Sequence, residues 1–122
     1  MKGQVTINIL EYMNATSNKQ FTYVVVSTIA NSIKDEYHDR KLKGLNINGK
    51  TKSGKKQINS RVVNIANEKF GKSTITLDDV RLYKRCFTEE YTSRTGKCAW
   101  GFKEVRQRLG FDVITGLELL SI

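Results

Sequence analysis

INSRVVNIANEKFGKSTITLDDVRLYKRCFTEEY, residues 58–91, sets two helical patterns either side of a single break. Ile58, Val62, Ile65, Ala66 and Phe70 recur on one face of a helix, and Gly71 follows where a left-handed residue can close it. Thr76-Leu77-Asp78-Asp79 then has the form of a capping box. The Thr76 hydroxyl can satisfy the third backbone donor, Asp79 can reach back, and both acids complement the positive end of a helix dipole. Beyond that start Leu77, Val80, Tyr83, Phe87 and Tyr91 read as the buried stripe, with Arg81, Lys84, Arg85 and Thr88 together on the opposite face. From Ser60 to Phe87 the pair has the outline of a helix-turn-helix, with Ala66 toward the partner helix and Gly71 in the turn. Its connector is longer than the compact turn of the DNA-binding form.

Working upstream, Phe21, Val25, Ile29, Ile33 and Tyr37 recur every four positions and predict a helix. The run Val24-Val25-Val26 opposes it, because β-branched side chains favour extended backbone. The opening stretch is ambiguous: Val5, Ile7 and Ile9 alternate as in a strand, while Ile9, Leu10 and Met13 fit a short helix. From Lys41 to Gln57 the chain carries no acid, and Asn48-Gly49 is a two-residue hairpin signal. The lysines that follow, Lys50, Lys52, Lys55 and Lys56, read either as a basic hairpin in the position of a wing or as a solvated loop.

Downstream, Ser93-Arg94-Thr95-Gly96-Lys97 reads as a break before a last helix on which Cys98, Phe102, Val105 and Leu109 share a face. Lys103, Arg106, Gln107 and Arg108 point away from that face. Phe111 to Leu120 reads as a terminal hairpin around Thr115-Gly116. The fold class expected is therefore α+β and mainly helical, built from one or two winged-helix or helix-turn-helix-like units sharing a small antiparallel β component. At 122 residues the chain is expected to form a single domain over 1–122, divisible at most into subunits 1–57 and 58–122.

Charge is the strongest global signal, since 21 Lys and Arg against 12 Asp and Glu leave +9. Such a chain attracts polyanions, and double-stranded DNA is the partner expected first. Arg81 and Arg85, or Arg106, Gln107 and Arg108, are the candidates for reading base edges, because guanidinium and amide groups can pair with them bidentately. Lys50, Lys52, Lys55, Lys56, Lys72, Lys84, Arg94, Lys97 and Lys103 are candidates for phosphate contacts, which set affinity without sequence. The last helix is slightly favoured as the reader. A homodimer, or a pseudo-dimer within the chain, is compatible with this.

Two other functions stay open. The aromatics Phe21, Tyr23, Tyr83, Tyr91, Trp100 and Phe102 could stack on single-stranded nucleic acid or RNA, or the positive charge could serve contacts that inhibit a host nucleic-acid machine. Catalysis is not expected: His38 stands alone in a charged helix end, Asp78 and Asp79 are explained by capping, and no phosphate loop is present. Cys86 and Cys98 lack metal spacing and fit buried free thiols, so no metal or cofactor is expected. With no spanning run and no leader at Met1, a cytoplasmic setting is expected, without a membrane partner. The absence of proline and the abundance of Asn and Lys suit a small regulatory or accessory protein of a phage, plasmid or other mobile element.

Overall fold

In a computed structural model, residues 9–44, 52–97, 101, 102 and 105 are described. They contain four long elements, all helical: α1 (Ile9–Thr16), α2 (Tyr23–Leu42), α3 (Lys52–Phe70) and α4 (Leu77–Thr95). Helix α2 lies along α3, α1 lies on α4, and α3 and α2 both meet α4.

Each helix starts and stops for a local reason. Thr22 caps α2, its hydroxyl accepting from the Val25 N–H at 3.2 Å. The Val24-Val25-Val26 run is helical because Val26 is fully buried on the core face, and that burial outweighs the β-branched preference for strand. The capping box at α4 forms as its sequence demands: Thr76 Oγ1 accepts from Asp79 N–H, and Asp79 Oδ2 accepts from Thr76 N–H at 2.9 Å. After α3 and α4 the chain turns at Gly71 and Gly96, with φ of 77° and 68°. A side chain there would force a Cβ into the strained left-handed region. Between α3 and α4 the Asn67 amide clasps Ile75, donating to its carbonyl and accepting from its N–H, each at 2.9 Å. That pair of hydrogen bonds holds the connector closed.

The core is one cluster drawn from every helix. Ile9 and Met13 of α1, Val26, Ile29 and Ile33 of α2, Ile58, Val62 and Ala66 of α3, and Val80, Tyr83 and Phe87 of α4 are all buried. Phe21 and Ile75 close it from the connectors. Truncating one of the buried isoleucines to alanine is expected to cost about 2–5 kcal/mol.

The β component expected from the sequence is corrected: no strand occurs among the described residues. Ile9 opens a helix rather than ending a strand, and the lysine-rich segment from Lys52 onward, read as a wing or loop, forms the first turns of α3. It escaped a periodicity argument because it has no apolar stripe to show, while lysine itself is a good helix former. The Asn48-Gly49 turn, the last helix as a whole and the 111–120 hairpin lie outside the described residues. The winged-helix architecture is therefore set aside in favour of a helical one.

Candidate nucleic-acid interface

Two sets of contacts fix how the helices run. Early in α2, Asp35 reaches Lys69 at 2.8 Å, whereas later Asp39 reaches Arg61 at 3.1 Å. Helices α2 and α3 are therefore antiparallel. Likewise Asn59 meets Lys84 at 2.6 Å and Asn67 meets Ile75, so α3 and α4 are antiparallel too. The end of α2, the start of α3 and the end of α4 thus share one pole of the bundle.

That pole collects exposed cations. Lys41 and Lys43 come from the end of α2 and its cap, Lys55 and Lys56 from α3, and Arg94 and Lys97 from the end of α4 and the residue after its cap. Lys43 is bound to Asp39 at 3.1 Å and Arg94 to Glu90 at 2.6 Å. Lys41, Lys55, Lys56 and Lys97 make no ion pair with a described residue. Among the described residues no carboxylate balances their field by direct pairing, which is the condition for attracting an anion. No acid occurs between Arg40 and Asn67, so the intervening chain adds positive charge and no negative charge.

The other expected site residues are placed differently. Arg81 and Arg85 are exposed on α4, but each lies beside a carboxylate: Asp78 at 3.6 Å and Glu89 at 3.8 Å. Those acids would repel a phosphate from the same face. Lys72 is exposed beyond Gly71, at the opposite pole. Lys84 is turned inward between α2 and α3, so it does not join Arg81 and Arg85 on the outer face. The side chain of Lys52, and the whole of Lys50, Lys103, Arg106, Gln107, Arg108, Cys98 and Trp100, lie outside the described residues.

Sequence reasoning missed Lys41 and Lys43, although they stand in the same acid-free run as the lysines it singled out. It also missed an ionic cluster beneath the pole. Glu36 is fully buried and accepts from Arg40 Nε and Arg61 Nε, each at 2.9 Å, while Arg61 Nη2 reaches Asp39 at 3.1 Å. A carboxylate on the buried face of α2 has no sequence signal beyond its helical spacing to Arg40. The cluster ties α2 to α3 and so holds their basic ends side by side.

Among the described residues no His, Cys, Asp and Glu group could hold a metal ion, and no helix is long and apolar enough to cross a membrane. Cys86 is a buried free thiol, in contact with Thr16 Oγ1 at 3.3 Å. No known protein family matches the chain, and no curated protein or solved structure is similar to it.

Proposed function

We propose that the protein binds double-stranded DNA, without catalysis, by seating phosphates on the basic pole. The observation that carries this reading is the convergence of four exposed lysines without an ion pair among the described residues, Lys41, Lys55, Lys56 and Lys97, from three helix ends in a chain of net charge +9. Lysine ammonium groups neutralise phosphates and release counterions, which supplies affinity whatever the base sequence.

Placement of the aromatics favours duplex over single strand. Single-strand binders present aromatic faces on which bases stack. Among the described residues Phe21, Tyr37, Tyr83, Phe87 and Tyr91 are buried, and Tyr12, Tyr23 and Phe70 are half-buried. Phe102 lies against Tyr37, Tyr83 and Phe87. A small accessory or regulatory DNA-binding protein is the role that fits these features.

The test is a fluorescence-polarisation competition among a random 30-mer duplex, a single strand and an RNA at low salt. Preference for the DNA duplex is the expected result. Binding to none of the three would redirect the positive charge to a protein partner, and preference for RNA or the single strand would replace the ligand.

A further inference from the structure

The amide side chains of α3 divide into two sets. Asn59 and Asn67 face inward and are committed, the first to Lys84 at 2.6 Å and the second to Ile75. Gln57 and Asn64 are exposed, with exposed Ser60 between them, and none of the three side chains has a hydrogen-bond partner among the described residues. Spacings of three and four residues put Gln57, Ser60 and Asn64 on one stripe of the helix. Lys55 and Lys56 stand at its N-terminal end, and the first acid on α3 is Glu68, one turn beyond Asn64.

Resting on the duplex-binding reading above, we infer that α3 is the helix that enters the major groove, with Gln57, Ser60 and Asn64 reading base edges while Lys55 and Lys56 hold the flanking phosphates. Glutamine and asparagine can pair bidentately with adenine, the side-chain NH2 donating to N7 and the side-chain carbonyl oxygen accepting from the N6 amino group, and serine can bond either kind of edge. Base reading from the first half of a helix whose N-terminal end lies near the backbone is a common docking arrangement. Helix α4 is the poorer reader. Its exposed arginines Arg81 and Arg85 sit beside Asp78 and Glu89, whose carboxylates would have to approach the same phosphates.

The experiment is selection of the full-length protein on a randomised duplex library with sequencing of the bound fraction, repeated for Gln57→Ala, Ser60→Ala, Asn64→Ala and the double variant Arg81→Ala/Arg85→Ala. Circular dichroism of each variant confirms that the helices persist. Wild type should enrich a motif containing adenine. Gln57→Ala and Asn64→Ala should each lose about tenfold discrimination at one base pair, with the salt dependence of binding unchanged. The Arg81/Arg85 variant should keep the motif. If wild type binds duplex with no preference, or with a preference that survives Gln57→Ala and Asn64→Ala, the inference fails while the duplex reading stands. If wild type retains no duplex at all, both fail.

Discussion

Lys84 Nζ donates to Asn59 Oδ1 across 2.6 Å, joining α4 to α3, and lies 5.8 Å and 5.6 Å from the ring centres of Tyr37 and Phe102. A lysine at this spacing on a charged helix face belongs by pattern to the surface. Here its stem and head fill the seam where α2, α3 and α4 meet, and the rings and amide replace part of its water shell.

Burial pushes the Lys84 ammonium down to about 8 from 10.5, with Glu36 opposing the shift and Lys55 adding to it. Between those two pH values the unfolded chain holds a proton that the folded chain has released. Stability from this group is therefore full above pH 10.5 and is lost as pH falls through about 8. Relative to Lys84→Met, wild type should gain on the order of 3 kcal/mol across that window. Urea unfolding of both proteins at several pH values checks it; a pH-independent difference between them would contradict the assignment.

Glu36 has no exposed side-chain surface, and Arg40, bound to it, is nearly as buried. Replacing Glu36 with Gln removes the buried carboxylate that both guanidinium groups bind and should cost about 3 kcal/mol. Arg61→Ala removes the partner that reaches solvent, and its loss should be clearly smaller. Chemical denaturation orders the two variants.

Tyr83 is fully buried, and its hydroxyl has no hydrogen-bond partner among the described residues. Burial also holds its pKa far above the usual tyrosine value. Tyr83→Phe removes an unsatisfied polar atom and keeps the ring against Phe87, so it should stabilise the protein by about 1 kcal/mol. A lower melting temperature for the variant would show that the hydroxyl does have a partner.

The helices that bury an apolar stripe were legible. Ile29 and Ile33 mark α2, Ile58, Val62 and Ala66 mark α3, and Val80, Tyr83 and Phe87 mark α4, each at helical spacing and each in the core. Thr76 and Asp79 placed the start of α4, because a cap is a local event written in adjacent residues. The first turns of α3 were not legible, since Lys52, Lys55 and Lys56 carry no periodicity and sit next to an Asn-Gly turn signal. Lys84 was misjudged and Glu36 was missed for one reason. Whether a charged residue faces water depends on which neighbouring helix supplies Asn59, Arg40 or Arg61, and that pairing is set by tertiary packing. The candidate interface was legible as a run of lysines, but its assembly from three helix ends required the antiparallel arrangement.

Whether the lysines at the shared pole hold phosphates is decided by the salt dependence of duplex binding for wild type and Lys55→Ala/Lys56→Ala. Each lysine that neutralises a phosphate contributes close to one unit to the slope of log affinity against log salt. Wild type should show a steep slope that falls by about 2 in the double variant, while Lys72→Ala, at the opposite pole, leaves it unchanged. Equal slopes for wild type and the double variant would mean that Lys55 and Lys56 hold no phosphate.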